Sequence, residues 1–317
     1  MIFLGPTPLA GIGQMMLKYL DLFGGEYYQI GQDIPSDQDV FMFALPTEHW
    51  LSRIPDIKKR SKRVLCMTIC ETDRVHVAYG QLFELFRNET IVTPSKFCIN
   101  VFSRQYPQYN FALVHAYVPI PKPLTTRNLT IEFPTKDSYV FYHIGNVIDP
   151  RKNFKGIFEA FIRLNKPDAY LLVKATCHSE VKFSHPRIMI INGLQHESLI
   201  DEIHDIGDCY VSFSHSEGIG LGAVEAAIRD KPVIIPSFGG AVEYIKTPYT
   251  INCGTKAVGI TDFLFQPWMS WGDPDKMDLL MFMTEAYTKR VKVMNHDHTR
   301  KIVSADNIKS QFKEHFD

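Results

Sequence analysis

The sequence of 317 residues lacks the features that mark membrane-embedded, disordered and nucleic-acid-binding chains. No apolar run approaches the ~18 residues that a membrane span needs, and there is no internal repeat or low-complexity tract. The 34 Lys and Arg residues nearly balance the 35 Asp and Glu residues, which gives a formal net charge of -1 at pH 7. Overall charge therefore gives no reason to expect a dedicated nucleic-acid binder.

Cysteine is also scarce, with six residues scattered mostly inside apolar runs. Cys66 and Cys70 lack the CxxC spacing of a zinc site, so we interpret the cysteines as buried, reduced thiols and predict no metal site. The N-terminus has neither the basic flank nor the long apolar stretch of a signal peptide. Together these features predict a cytoplasmic protein.

What the chain does contain is an ordinary globular composition, with 45% hydrophobic and 22% charged residues. Short β-rich runs alternate with amphipathic stretches, which predicts an α/β fold with parallel sheets and helical crossovers. A proline-dense passage at 118–123 favours extended chain and is interpreted as a linker. We therefore predict domains at 1–120 and 121–294, with a C-terminal helix at about 295–317 packing back on the first.

The individual elements follow from these periodicities. Predicted strands are 1–4, 39–45, 63–69, 90–93 and 111–114 in the first half, then 139–144, 169–175, 187–192, 208–213 and 232–236. Predicted helices are 14–23, 77–87, 155–164, 197–204, 221–229, 241–245, 275–290 and 305–316. Two Rossmann-like halves facing across a cleft are the simplest architecture for this series, with ligands at the carboxyl ends of strands.

The densest functional signal is the stretch 214–236. A buried strand precedes it, a helix is predicted from Leu221, and three glycines lie near the junction. Glycines let the backbone approach a ligand closely, and a helix N-terminus directs free N–H groups and a positive dipole end at it, which suits phosphate. The glycines are Gly218, Gly220 and Gly222.

Two glutamates belong to the same stretch. Glu217 lies at the strand's end and Glu225 about one turn into the helix, so both carboxylates are placed to bind sugar or ribose hydroxyls. The alternative is a plain strand–loop–helix with solvated glutamates. A second signal, Arg151-Lys152, lies between a strand and a helix, where paired cations would neutralise a diphosphate. The alternative there is a solvated loop.

Together these segments resemble the C-terminal domain of retaining glycosyltransferases of the GT-B fold, the group that includes glycogen and sucrose synthases and bacterial mannosyltransferases (glycosyltransferase family 4-like). Six elements appear in the family's order over about residues 139–290. The matching segments are Arg151-Lys152-Asn153, 193–199, 207–212, 217–226 with its two glutamates, Lys231-Pro-Val-Ile234, and Gly239-Gly240-x-x-Glu243.

The resemblance is looser in the first half. Gly11-Ile-Gly13 is similar to the family's glycine loop. The segment 68–73, which contains Glu71 and Asp73, is similar to acceptor-side segments of some members. Asn146 stands where the family usually has an arginine, so Arg151 or Lys174 would supply that charge. The family's acceptor-loop histidine is replaced by Cys70 or Glu71.

The resemblance implies metal-independent transfer, with retention, of a hexose from a UDP- or GDP-linked sugar to a hydroxyl of a glycan, lipid-linked or protein-linked acceptor. Arg151 and Lys152 would stabilise phosphate charge, Glu217 would bind the donor sugar, and Glu225 the ribose. Replacing Glu217 or Lys152 with Ala would nearly abolish transfer and leave the fold intact. The other implied donor contacts are Gly11, Gly13, Asn146, Lys174 and the loop Gly218, Ile219, Gly220, Leu221.

Several alternatives stay open from the sequence. A non-catalytic sugar-nucleotide binder and an epimerase of the same fold fit the motifs, whereas an oxidoreductase is disfavoured because Met16 occupies the third glycine position of GxGxxG. Asp273-Pro-Asp275 is interpreted as a helix N-cap rather than a metal motif, and His296-Asp-His298 as exposed polar sequence. The basic run 58–63 is either a solvated loop or a contact for an anionic membrane surface.

Overall fold

A computed structural model describes residues 1–8, 11–124, 126, 128–131, 133, 135, 137–177, 179–193, 197–262 and 264–316. The chain forms two compact units. The first contains Met1–Pro119, Ala257–Trp271 and Lys301–Asp317, and the second contains Ile120–Lys256 and Gly272–Arg300. Residues 257–271, which the sequence pattern assigned to the second domain, therefore lie in the first unit.

The first unit is built on a six-stranded parallel sheet with the order β2-β1-β3-β4-β5-β6. Its central strands are buried apolar runs, as expected for a sheet covered by helices on both faces. The strands are β1 (Ile2–Gly5), β2 (Glu26–Gln29), β3 (Asp39–Phe43), β4 (Arg63–Met67), β5 (Thr90–Thr93) and β6 (Asn110–Leu113). The helices that follow them are α1 (Ile12–Phe23), α2 (Glu48–Arg60), α3 (Ala78–Glu84) and α4 (Lys96–Gln105).

The second unit contains a second parallel sheet of six strands, with the order β12-β11-β10-β7-β8-β9. All seven residues of β8 are buried, which places it in the middle of the core. The strands are β7 (Tyr139–Gly145), β8 (Ala169–Ala175), β9 (Ile188–Asn192), β10 (Cys209–Val211), β11 (Val233–Pro236) and β12 (Thr250–Ile251), with β13 (Cys253–Ala257) and β14 (Ser270–Pro274) paired separately. The helices of this unit are α5 (Phe154–Leu164), α6 (Glu197–Ile206), α7 (Leu221–Ala227), α8 (Ala241–Tyr244), α9 (Lys276–Thr288) and α10 (Asp297–Ile302). The last helix of the chain, α11 (Ala305–Phe316), belongs to the first unit.

The final helix, α11, packs within the first unit. Its Phe312 side chain lies against the rings of Phe41 and Tyr19, with centroid distances of 4.7 Å and 5.6 Å. Gln311 also accepts a hydrogen bond from the backbone N–H of His115, at 3.0 Å. The end of the chain thus completes the core beside α1 and β3.

The predicted α/β class with two parallel sheets is confirmed. The sequence patterns did not predict β2, β12, α2, α4, α10 or the β13–β14 pair. Every helix in the described ranges is too short or too polar to span a bilayer.

Candidate active site

A pocket in the second unit lies at the carboxyl edge of its sheet, where β7, β10 and β11 end. It is open to solvent, and the pocket and its mouth together enclose about 430 Å³. Parallel strands point their carboxyl ends to one edge, so the loops that follow them meet there. The polar and glycine residues at its wall include His143, Lys152, Ser214, Glu217, Gly220 and Gly222.

An ion cluster centred on Glu217 forms one side of this pocket. Lys152 Nζ lies 2.6 Å from Glu217 Oε1, and Arg151 Nη1 lies 3.1 Å from Oε2. Arg151 Nη1 also donates to the carbonyl of Ser216 at 2.8 Å, and its Nη2 lies 3.3 Å from a carboxylate oxygen of Asp149. The structure therefore brings the two predicted cations and the predicted glutamate together.

The cluster holds Glu217 in its charged form. Burial would raise the pKa of this carboxyl, but the charges of Lys152 and Arg151 outweigh burial and lower the pKa to about 2. The side chains of the three residues are only 11–18% exposed. Since Asp149 supplies a second carboxylate, two cations face two anions, and the cluster balances its own charge.

Backbone contacts fix the cations in place. Asp149 caps a short 3-10 turn, Pro150–Lys152, by accepting a hydrogen bond from Arg151 N at 2.9 Å. The carbonyl of Arg151 in turn accepts a hydrogen bond from His215 N at 2.7 Å. The loop after β7 and the loop after β10 are thus joined through both the backbone and the side chain of Arg151.

Glycine is required where the loops behind Glu217 pass closest to one another. Gly239 has a φ of +98°, and a Cβ there would lie 2.5 Å from the carbonyl oxygen of Glu217. The same carbonyl accepts a hydrogen bond from Gly240 N at 2.6 Å. A Cβ on Gly222 would lie 2.6 Å from the Tyr210 hydroxyl. Gly239 thus permits the close contact between the loops after β10 and β11 that positions Glu217, and Gly222 permits the close packing of α7 on Tyr210 of β10.

The loop of residues 218–221 has a buried part and a part that lines the pocket. Gly218 and Ile219 are buried, whereas Gly220 and Leu221 line the pocket. Gly220 has a φ of +79° and is the N-cap of α7. The backbone near Gly220 is therefore the part of the predicted phosphate loop that a pocket ligand would meet.

Glu225 lies away from the pocket wall and is paired with a histidine that sequence reasoning did not identify. His204 Nε2 lies 3.6 Å from Glu225 Oε2, and the other ring nitrogen of His204 lies 3.0 Å from the Tyr142 hydroxyl. Burial lowers the pKa of His204 despite the nearby carboxylate. The sequence carries no signal for this group because residues 142, 204 and 225 meet only through the tertiary fold.

Lys174 and Asn146 are not among the described residues that line the pocket. Lys174 Nζ donates to the carbonyl of Gly193 at 2.5 Å, and burial lowers the pKa of its ammonium group to about 8. The Asn146 side chain accepts a hydrogen bond from Ile148 N at 3.3 Å. Arg151 does not line the pocket either, but its Nη1 lies 3.1 Å from the lining residue Glu217, so Arg151 contacts the pocket wall directly.

His143 is a pocket residue that sequence reasoning missed. Its Nδ1 lies 2.8 Å from the carbonyl of Val211, which can only accept, so Nδ1 carries the proton. Its Nε2 is buried and has no hydrogen-bond partner among the described residues. Burial lowers the pKa of His143 to about 4, so the ring is neutral at pH 7.

The candidate site residues of the first unit lie at the start of α1 and in the segment after β4. Gly11, with a φ of +52°, and Gly13 begin α1, and a Cβ on Gly13 would lie 2.4 Å from the Thr7 carbonyl oxygen. Asp73 accepts a hydrogen bond from Ser270 N at 2.6 Å and donates its own N–H to Ser270 O at 2.8 Å. Asp73 thus anchors the segment 257–271, and Glu71 beside it is half-buried.

The basic run 58–63 is not a loop, because its first three residues complete the last turn of α2. Lys58 pairs with Glu89 at 2.7 Å and Arg60 with Asp56 at 2.8 Å. Arg63 forms a two-pronged pair with Asp39, with both distances 2.9 Å. These carboxylates reduce the positive charge that the run presents to a surface.

Residues of the segments Asp273-Pro-Asp275 and His296-Asp-His298 have structural roles. Asp275 caps α9, as expected, by accepting hydrogen bonds from Met277 N and Asp278 N. His296 Nε2 lies 2.9 Å from the carbonyl oxygen of Lys231, and this side chain is buried rather than exposed as expected, because it packs where α10 begins. Among the described residues there is no group of three or more His, Cys, Asp or Glu that could hold a metal ion.

Comparison with known proteins places this site in a family segment. Residues 129–252, which lie within the second unit, match the family model described as Glycosyl transferases group 1. The ion cluster, the loop 218–221 and Glu225 all lie inside the matched residues. No curated protein matches the chain in sequence.

Solved structures similar to the chain extend the comparison to both units. TarM from S. aureus, in complex with Fondaparinux, alpha-GlcNAc-glycerol and UDP, has a TM-score of 0.59 at 12% identity over 88% of this chain and 55% of TarM. This chain thus spans about half the length of TarM. The trehalose-6-phosphate synthase OtsA gives 0.66 at 9% identity over 98% of this chain and 97% of OtsA. Sucrose-phosphate synthase from Thermosynechococcus elongatus gives 0.61 at 11% identity, covering 99% and 97%. The chain therefore has the predicted GT-B fold.

Proposed function

We propose that this protein transfers a hexose from a UDP- or GDP-linked sugar to an acceptor hydroxyl, with retention of anomeric configuration and without a metal ion. The observation that carries the proposal is the largely buried cluster of Glu217 with Lys152 and Arg151, at a pocket inside the segment that matches the glycosyl transferases group 1 model. The similarity to structures solved with UDP or a UDP-sugar analogue supports a uridine donor as the first to test.

In this proposal the cations stabilise the diphosphate as the glycosidic bond breaks. The transition state places growing negative charge on the leaving phosphate, and preorganised cations in a largely buried site act on it strongly. Lys152 is the cation that lines the pocket, and its ammonium group has three donor hydrogens, so it can bind Glu217 and a phosphate oxygen together. The fixed Arg151 then keeps Glu217 charged when Lys152 is shared.

Glu217 binds the donor sugar in the same scheme. An ionised carboxylate offers about four acceptor positions, and the two cations leave room for sugar hydroxyls to donate to the others. The backbone at Gly220 and Leu221, which line the pocket, contributes N–H groups to phosphate or sugar oxygens. The leaving phosphate oxygen takes the proton of the attacking hydroxyl, so the protein supplies orientation and charge rather than a covalent intermediate.

The decisive experiment measures nucleoside diphosphate release and transfer for Lys152→Ala beside Lys155→Ala. Lys155 is the matched control, because it is a nearby lysine whose side chain is 86% exposed and pairs only loosely with Glu159, at 3.8 Å. We expect Lys152→Ala to slow release by on the order of 100-fold, the cost of removing one preorganised charge-stabilising group. Lys155→Ala should match the wild-type protein. Equal rates for all three proteins would refute the role of Lys152.

The same assay separates the alternatives. The donor is found first by thermal shift with UDP-, GDP- and ADP-sugars, since a ligand at 100 times its dissociation constant stabilises by about 2.7 kcal/mol. A non-catalytic binder would shift the melting temperature and release no nucleoside diphosphate, and an epimerase would return an altered sugar nucleotide. Product NMR then tests retention, and activity after treatment with EDTA tests independence from metal.

A further inference from the structure

Two cysteines of the first unit lie in direct contact at the carboxyl edge of its sheet. Cys70 follows β4 and Cys98 lies in the first turn of α4, after β5. Because β4 and β5 are parallel neighbours, the segments after them emerge side by side. The Cys98 sulfur lies 3.4 Å from Cys70 N and 3.4 Å from Cys70 O.

This geometry is close to that of a disulfide. A sulfur that touches both the N and the O of Cys70 lies next to its Cα, so the two Cα atoms fall near the range of about 4.4–6.8 Å that a disulfide needs. The two side chains also interact directly.

The surroundings favour Cys98 as the nucleophile of the pair. Ser95 Oγ donates to its sulfur at 3.3 Å, and Cys70 N–H points at the same atom. Burial raises the pKa of the Cys98 thiol, but hydrogen bonds from Cys70 and Ser95 outweigh burial and lower it below the usual value. The pKa of Cys70 is raised, mainly by burial. A lowered thiol pKa beside a protonated partner is the arrangement of an attacking and a resolving cysteine.

We propose that Cys70 and Cys98 form a thiol–disulfide site, at which a low-molecular-weight disulfide oxidises the pair to an intramolecular disulfide joining the loop after β4 to α4. The Cys98 thiolate attacks one sulfur of the small disulfide, breaks its S–S bond and releases one thiolate. Cys70 loses its proton to water and attacks the Cys98 sulfur, which expels the second thiolate. The pair loses two hydrogens in total, and one small disulfide becomes two thiols.

Access to the pair controls the rate. Cys70 is 4% exposed and Cys98 is fully buried, so the reaction requires local opening of residues 68–77, which contain neither helix nor strand. Tyr79 donates to the carbonyl of Ile69 at 2.6 Å and holds this loop closed. Oxidation is therefore expected to be slow and specific, and reversible by dithiothreitol.

The experiment treats the full chain with bis(2-hydroxyethyl) disulfide under native conditions and then maps the thiols by mass spectrometry without reduction. We expect a cross-link between the tryptic peptides 64–74 and 97–104, with two of the six thiols lost on denaturation and restored by dithiothreitol. Because Cys66 shares a peptide with Cys70, Cys66→Ala is the matched control and should keep the cross-link. Cys98→Ala should abolish it.

The wild-type protein alone can overturn the proposal, whatever the variants do to folding. Recovery of Cys70 and Cys98 as free thiols after the oxidant has reacted to completion at other cysteines would contradict it. A cross-link that involves Cys66, or only mixed disulfides at Cys98, would also contradict it.

Discussion

At the scale of single residues, Glu217 is both a candidate ligand group and the counter-ion of two cations, the buried Arg151 and the half-buried Lys152. Its carboxylate satisfies Lys152 and Arg151 while Asp149 satisfies the remaining guanidinium face. Removing one partner of a buried ion pair leaves an uncompensated charge, which costs more than the pair itself contributes. Substitution of Glu217 therefore reports on stability as well as on catalysis, and Lys152 is the cleaner site for testing activity.

The difference between the folded and the unfolded pKa of Glu217 predicts how Glu217→Gln changes the free energy of unfolding with pH. The folded pKa of about 2 lies below the unfolded value of about 4.3, so the carboxylate contributes stability that is present in full above about pH 4.3 and is lost as pH falls through the folded pKa. We expect the variant to be less stable by about 3 kcal/mol at pH 7, with a difference that shrinks toward pH 2. Urea denaturation at several pH values measures it.

Glu285→Gln is a suitable control for that measurement, since its exposed i,i+4 pair with Lys289 should contribute well under about 1 kcal/mol. A difference for Glu217→Gln that stays constant from pH 7 to pH 2.5 would show that the carboxylate charge is not what stabilises the loop.

The residues of the site can be predicted only where the chemistry is written in local sequence. Arg151-Lys152 and Glu217 follow strand-like runs, so strand periodicity alone places them at one sheet edge. His143 and His204 carry no such signal. His143 depends on a carbonyl 68 residues away, and His204 on side chains that meet it through the packing of α6 and α7 on the sheet.

At the scale of elements, helix α2 shows how a proline can hide a helical pattern. Trp50, Ile54 and Ile57 are buried and spaced by four and three residues, and Thr47 caps the helix through Trp50 N. Pro55 lies inside the helix, and the basic residues that follow favoured the prediction of a loop. A proline in a helix interior removes one hydrogen bond, but burial of the apolar stripe outweighs that loss here.

The short strand β2 could not be predicted for a different reason. Its four residues, Glu26–Gln29, are exposed or half-buried at the edge of the sheet, so they have no apolar run or regular alternation. Pairing with β1 determines its structure. Strands β3 and β8, which are buried in four of five and in all seven residues, were predicted because burial on both faces demands continuous apolar sequence.

The turn after β11 gives a prediction at this scale. Gly239→Ala should destabilise the protein by at least about 2 kcal/mol and weaken donor binding, because a Cβ at a φ of +98° is strained and would collide with the Glu217 carbonyl at 2.5 Å. Chemical denaturation and donor titration measure the two effects. Gly254→Ala is the control, since its Cβ would meet nothing closer than 3.9 Å. Equal behaviour of the two variants would contradict the prediction.

At the scale of the whole molecule, the chain returns to its first unit at its C-terminal end. Residues 301–317 belong to that unit although almost two hundred residues separate them from residue 119. The helical periodicity of the sequence predicted α11. The periodicity does not show which side chains pack against the apolar face of this helix, because those side chains are distant in sequence. Phe312 supplies that partner contact, with rings of α1 and β3 around it and only 3% of its surface exposed.

Truncation of this contact should loosen the first unit specifically. Phe312→Ala is expected to cost about 3–5 kcal/mol, the range for removing a buried aromatic side chain, because the cavity between Tyr19 and Phe41 cannot close around a rigid sheet. Hydrogen exchange should then accelerate in α1, β3 and α11, while β7 and β8 of the second unit keep their protection. Lys309→Ala, on the exposed side of the same helix, controls for helix propensity and should leave every amide unchanged. Unaltered exchange in β3 of Phe312→Ala would mean that α11 is an accessory to the first unit rather than part of its core.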